Sequence, residues 1–180
     1  MANEPLLHAS DVMARDLITV TPETPILDIH RLFVEEEIHG APVVGEDGLV
    51  YGVISTLDLL RVVRDELEPG AGATRASYFR DELEYSGPDW QRMPVDFQDR
   101  MQTVTAEQAM TTELVMVAPD TPIDEVARTM LDHRIHRVLV TTSERQLEGV
   151  VSAFDLLRVL ARAPLPPPPL VRHTGYSRGA

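Results

Sequence analysis

The hydrophobic and polar positions of this 180-residue chain are written twice. "VISTLDLLRVV" begins at Val53 and "VVSAFDLLRVL" at Val150, an offset of 97 positions. At that offset the chain matches itself without a gap, from about residue 11 to 63 against 108 to 160. Met13 meets Met110, Thr24-Pro25-Ile26 meets Thr121-Pro122-Ile123, and Ile38-His39 meets Ile135-His136. Gly52-Val53 meets Gly149-Val150, Ser55 meets Ser152, and Asp58 meets Asp155. Each copy predicts the same elements. "LITV" and "LVMV" are short extended runs before Pro22 and Pro119. The Thr-Pro pairs that follow predict a threonine N-cap with proline at the first helical position. In the second copy Asp124, three residues after Thr121, completes a capping box. Ile26, Ile29, Phe33 and Val34 have helical spacing, as do Ile123, Val126, Met130 and Leu131. These helices are predicted to end near His39 and His136. "APVV" and "VYGVI" read as strands joined by the turn-like "GEDG", and "RVLV" and "LEGVV" by "TSERQ". A final helix starts after Ser55 or Ser152. The unit is β-α-β-β-α, an α/β arrangement of the α+β type with helices against a small sheet.

A unit of this size is marginal as an independent fold, and a repeat signals a unit that cannot bury its apolar face alone. The two copies are therefore expected to pack with pseudo-twofold symmetry. The organisation read from the sequence is an N-terminal segment with repeat 1 over 1–63, an insert over 64–107, repeat 2 over 108–163 and a proline-rich tail over 164–180. The insert begins acidic and glycine-rich, then carries Tyr78, Phe79, Tyr85, Trp90 and Phe97. A solvated linker does not concentrate aromatic residues, so part of the insert is expected to be ordered. The prolines of "APLPPPPLVRHTGYSRGA" break helices, and the tail is expected to be extended or disordered.

Composition narrows the chemistry. The formal charge of −13 opposes nucleic-acid backbones and anionic lipid. No apolar run reaches the length of a membrane span. The absence of cysteine removes disulfides, thiol catalysis and thiolate metal sites. The first residues lack a basic stretch followed by an apolar one, so a cytoplasmic location is expected. No nucleophile elbow, phosphate-binding loop or dinucleotide fingerprint occurs, so no catalytic residue is assigned and the chain is not expected to be an enzyme.

The stretches "TVTPETPILDIHRLFVEEEIHGAPVV…YGVISTLDLL" and "MVAPDTPIDEVARTMLDHRIHRVLV…LEGVVSAFDLL" resemble tandem cystathionine-β-synthase (CBS) domains, the Bateman module. The resemblance covers both repeats but neither the insert nor the tail. It implies clefts between the repeats that take an adenosyl compound, with AMP, ADP, ATP or S-adenosylmethionine as candidate regulatory ligands and no required cofactor. Adenine would slot between strands that carry Val53 and Val150. The aspartate of the glycine-strand-serine motif would receive the ribose hydroxyls: Asp58 and Asp155, with Ser55 and Ser152 facing the ligand. Basic residues after the first helix of the opposite repeat would meet phosphates. These are His136 and Arg137 in the second copy and His39 in the first, where Gly40 stands in place of the arginine. On that pattern Ser55 and Asp58 work with His136 and Arg137, which makes theirs the better phosphate site. The resemblance also implies a homodimer seamed by the helices of "LDLLRVV" and "FDLLRVL", and a protein effector that reads the ligand state.

Physical chemistry supports these roles. A carboxylate accepts two hydrogen bonds from a diol, and arginine grips phosphate bidentately. Plainer readings stand beside them. Ser-x-x-Asp is also a helix capping box, and histidines near a helix end complement the helix dipole. Met13 and Met110 read as packing residues. The alternative function is a ligand-free structural module that serves dimerisation or protein interaction.

Overall fold

The computed structural model describes residues 6–67 and 101–162. The expectations for the aromatic-rich part of the insert and for the proline-rich tail lie outside these residues. In chain order the elements are α1 (Ala9–Val12), α2 (Ile26–Glu35), β1 (Gly40–Val44), β2 (Val50–Ser55) and α3 (Thr56–Leu67). They continue with α4 (Ala106–Ala109), β3 (Met116–Val117), α5 (Ile123–His133), β4 (Arg137–Thr141), β5 (Leu147–Ser152) and α6 (Ala153–Leu160). Two compact units result. One holds repeat 1 within residues 18–114, and the other joins residues 6–17 to repeat 2 from 115 onward.

In the repeat-1 unit β1 and β2 form an antiparallel hairpin with Gly40 opposite Ser55 and Val43 opposite Gly52. Val20, the end of "LITV", adds a single parallel bridge to Val43. In the repeat-2 unit β4 and β5 pair in the same way, Arg137 opposite Ser152, and β3 runs parallel to β4 with Val117 beside Val140. Both hairpins carry a register shift at the same place, Val43/Val44 and Val140/Thr141. Both turns need one left-handed residue. Gly48 supplies it in the first copy at φ 78°, and Arg145 in the second at φ 65°.

The helices differ from the sequence expectation at both ends. Pro25 and Pro122 are the N-caps, not the first helical residues, and neither helix start has a side-chain cap. The capping box expected at Thr121 and Asp124 does not form. The first free helix N–H groups are satisfied by backbone instead: Ile26 donates to the Val104 carbonyl and Ile123 to the Leu7 carbonyl, each at 3.0 Å. A carbonyl from a remote segment replaces the threonine hydroxyl, so local spacing could not reveal it. The helices also end earlier than His39 and His136, at Glu35 and His133. Left-handed residues at equivalent positions follow, Glu37 and Arg134, both at φ 54°. Of the predicted apolar stripe, Ile26, Ile29 and Phe33 are buried, but Val34 and its counterpart Leu131 face water.

The segments ahead of each repeat are exchanged. Ala14, which precedes repeat 1, makes a two-way backbone bridge with Val150, at 2.9 and 3.0 Å. Thr111, its counterpart at the 97 offset, bridges Val53 at 2.8 and 2.9 Å. The N–H groups of Ala9 and Ser10 at the start of α1 donate to the carbonyls of Thr121 and Pro119. Those of Ala106 and Glu107 in α4 donate to Thr24 and Pro22. Each short helix therefore precedes one copy in sequence and packs with the other. Met13 and Met110 end these segments and lie against Gly149 and Gly52, the packing role read from the sequence. The core of the repeat-1 unit gathers Ile26, Ile29 and Phe33 of α2, Ile54 of β2 and Leu59 of α3, closed by Met101 and Ala106.

Candidate functional site

Strand β2 ends at Ser55, and α3 begins at the next residue. Helical spacing brings Asp58 back over that junction. Its Oδ2 accepts hydrogen bonds from the Ser55 N–H at 2.8 Å and the Ser55 hydroxyl at 2.5 Å. Its Oδ1 accepts from Arg61 Nη1 at 2.8 Å. Both Ser55 and Asp58 are buried. The second copy repeats this at the β5–α6 junction. Asp155 Oδ2 accepts from the Ser152 N–H at 2.8 Å and the Ser152 hydroxyl at 2.6 Å, and Oδ1 accepts from Arg158 Nη1 at 3.2 Å. The Asp155 N–H in turn donates to Ser152 Oγ at 3.3 Å, which closes a full capping box. The capping role read from Ser-x-x-Asp is thus realised, and it leaves acceptor capacity on Oδ1.

Burial pushes the Asp58 carboxyl above its ordinary range, against the pull of the Ser55 hydrogen bonds and the Arg61 cation. A carboxylate withdrawn from water is costly to charge, and only donors aimed at it make the ionised form tolerable.

The other sequence-derived candidates take definite places. Val53 and Val150 are buried, and their backbone groups are engaged by Thr111 and Ala14. His39 lies between α2 and β1, and its carbonyl accepts the Thr56 N–H at 2.9 Å. His136 is its counterpart, accepting the Ala153 N–H at 2.8 Å. Both histidines lie past the last helical turn, so neither belongs to the helix terminus whose dipole it was expected to complement. Arg137 opens β4, in register with Ser152 of its own copy, where Gly40 faces Ser55 in the other. Within each copy, the serine and the aspartate meet at one strand–helix junction, and the backbone carbonyl of the histidine is bonded to the first residue of the helix that starts there. Arg61 and Arg158 were not among the sequence candidates. Their signal was present: an acid followed three residues later by a base on one helix face.

No helix among the described residues is long and apolar enough to cross a membrane.

Comparison with known proteins agrees with this architecture. The CBS domain family profile matches residues 9–65 and 106–162, and the chain belongs to that family. It is 26% identical over 159 residues to the uncharacterized protein MJ1426 of Methanocaldococcus jannaschii, covering 88% of this chain and 94% of that one. Other curated relatives are longer: the chain spans 24% of one and 58% of another. The fold is that of solved CBS domain pairs. The pair of protein MJ0100, solved with 5′-methylthioadenosine and S-adenosyl-L-methionine, superposes with a TM-score of 0.60 at 20% identity, over 88% of this chain and 98% of that one. CBSX2, solved with AMP, gives 0.62 at 21% identity, over 86% and 96%.

Proposed function

We propose that this chain is a regulatory module that binds an adenine nucleotide or adenosyl compound and passes its ligand state to a protein effector. One observation carries the reading. The same buried carboxylate is built twice at a strand–helix junction, oriented through Oδ2 by its own serine, with Oδ1 turned to other donors. A ribose diol is a fitting donor, because hydrogen bonds to an ionised acceptor are the stronger kind. Asp58 and Asp155 take the ribose, and Ser55 and Ser152 hold them in place. Val53 and Val150 form the apolar backing of the junctions. His39, His136 and Arg137 supply positive charge for a phosphate. The adenosyl ligands seen with MJ0100 and the AMP seen with CBSX2 support this choice of ligand class. The function is one of binding and signalling, with no chemical step.

Thermal unfolding against AMP, ADP, ATP and S-adenosylmethionine tests the reading. A ligand at about 100 times its dissociation constant stabilises the native state by roughly 2.7 kcal/mol. For a chain of this length that raises the midpoint by about 5–10 °C. The shift is expected to shrink in Asp58→Ala or Asp155→Ala and to vanish when both are replaced. No shift with any of the four at millimolar concentration refutes ligand sensing.

A second reading, association through helices, rests on α6. Phe154, Leu157 and Leu160 stand 68%, 55% and 79% exposed on it. Large apolar side chains grouped on one short helix suit a protein contact, and a homodimer formed there would cover them. Light scattering of wild type and Leu157→Glu checks this: a dimer that the variant reduces to monomer supports it, and a monomeric wild type refutes it.

A further inference from the structure

The two aspartates are not equally available. A carboxylate offers about four lone-pair places. In each copy Oδ2 has given two of them to its serine, and Oδ1 has given one to an arginine. A ribose diol that donates two hydrogen bonds needs two free places, and one remains. Full engagement of the diol therefore requires the arginine to leave Oδ1. The cost of that step differs between copies. Arg61 holds Asp58 at 2.8 Å with its side chain 17% exposed, beside a carboxylate 2% exposed. Arg158 holds Asp155 at 3.2 Å with its side chain 46% exposed, beside a carboxylate 9% exposed. A shorter ion pair screened from water is harder to open than a longer one half in solvent.

We infer that Arg61 and Arg158 are positioning residues that compete with the ribose for Oδ1, a tight latch on Asp58 and a loose one on Asp155, so the Asp155 carboxylate takes a ribose at lower ligand concentration. This rests on the adenosyl reading above and adds to it an internal competitor and an order of filling. The serine hydrogen bonds to Oδ2 are nearly the same in the two copies, 2.8 and 2.5 Å against 2.8 and 2.6 Å, so they do not account for the difference. Arginine geometry does. The module then has a graded response, one site engaged at low ligand and the second only when the tighter latch yields.

Calorimetric titration with AMP tests this in single-site backgrounds. Asp155→Asn leaves the Asp58 carboxylate, and Asp58→Asn leaves the Asp155 carboxylate. Arg61 is changed to Met, which keeps the apolar stem and removes the donors. In the Asp155→Asn background Arg61→Met is expected to tighten AMP about tenfold, the worth of one charge-assisted hydrogen bond no longer displaced. Binding of 2′-deoxy-AMP, which cannot present the diol, should stay unchanged. Arg61→Lys restores a cation at the same place and should return AMP affinity to the background value. Arg158→Met in the Asp58→Asn background should tighten AMP by a smaller factor, about two- to threefold, because its competitor is already half in water. Unchanged or weakened AMP binding in Arg61→Met overturns the latch, as does an equal shift for AMP and 2′-deoxy-AMP. Should Arg61→Met fail to fold, the Arg158 variant decides: no diol-dependent gain there overturns it too. Absence of binding by AMP and S-adenosylmethionine to wild type and every variant instead sinks the adenosyl reading itself.

Discussion

Replacing Gly52 or Gly149 with alanine tests how each exchanged segment is held on the strand it pairs with. A Cβ built on Gly52 would lie 2.5 Å from the Met110 sulfur, 2.8 Å from its Cγ and 2.9 Å from the Thr111 carbonyl oxygen. On Gly149 the corresponding distances are 2.6 Å to the Met13 sulfur, 2.7 Å to its Cγ and 2.8 Å to the Ala14 carbonyl oxygen. Comfortable non-bonded carbon contacts start at about 3.5 Å, so the overlap is close to 1 Å. The methionine tail could swing aside, but the carbonyl could not. Thr111 accepts the Val53 N–H at 2.9 Å, and Ala14 accepts the Val150 N–H at 3.0 Å. Relief therefore means pulling the exchanged segment off its strand. Overpacking of this kind costs about 1–3 kcal/mol, and the fixed backbone contact puts both variants near the middle of that range, about 2 kcal/mol. Urea unfolding followed by circular dichroism measures it as a lowered midpoint at constant slope. Gly45→Ala is the control. Its Cβ would meet the Asp47 carboxylate and the Tyr51 ring edge, each at 2.7 Å. Tyr51 is well exposed, and turning it and Asp47 outward gives up only the exposed hydrogen bonds that Asp47 accepts from the Leu49 N–H and the Tyr51 hydroxyl, so the cost should stay at about 1 kcal/mol, below that of the other two variants. A Met110→Ala background should recover only part of the Gly52→Ala loss, because the Thr111 carbonyl remains. If Gly52→Ala and Gly149→Ala both unfold within about 0.5 kcal/mol of wild type, the close approach is not what locks these segments.

Arg145→Gly should stabilise the protein by about 0.5–1 kcal/mol, because it relieves a left-handed non-glycine residue that the first copy already avoids with Gly48; an unchanged or lowered denaturation midpoint counts against it. Ser152→Ala should cost about 1 kcal/mol through loss of the capping box at α6, read from the same unfolding curves. Asp58 titrates above its unfolded value of 3.8, chiefly through burial. The folded state therefore takes up its proton first, and the stability this contributes is complete below pH 3.8 and fades as pH rises through the folded value. The stability of wild type relative to Asp58→Asn should accordingly fall as pH rises across that window, and a difference flat in pH refutes the burial argument. Arg137→Ala should weaken a phosphate-bearing ligand such as AMP while leaving uncharged adenosine unaffected, as measured by titration; equal effects on both would remove the phosphate role.

The sequence by itself determined the repeat, the helix–strand–strand–helix run of each copy and the capping pairs at the strand–helix junctions, but not the short helices α1 and α4, nor that "LITV" contributes a single bridge in place of a strand. The offset from Val53 to Val150 is one-dimensional information, and apolar periodicity reports the buried face of each helix or strand wherever it later packs. Ser55 with Asp58 and Ser152 with Asp155 were legible for the same reason: a capping box closes within one helical turn and needs no remote partner. The arginines that hold those aspartates were equally local, three residues further on, and could have been read from the acid–base spacing. Tertiary structure decided what local spacing cannot encode. Thr24 and Thr121 look like helix caps, yet the N–H groups of Ile26 and Ile123 are met by the carbonyls of Val104 and Leu7, and a backbone carbonyl has no sequence signature. The exchange of the leading segments was hidden likewise, because Ala14 on Val150 and Thr111 on Val53 are pairings of backbone with backbone. The two latches also share one sequence pattern but differ in burial, 2% against 9% at the carboxylate. Burial is set by everything folded around a residue, and so the difference in burial between two sites that share the Ser-x-x-Asp-x-x-Arg spacing belongs to the fold.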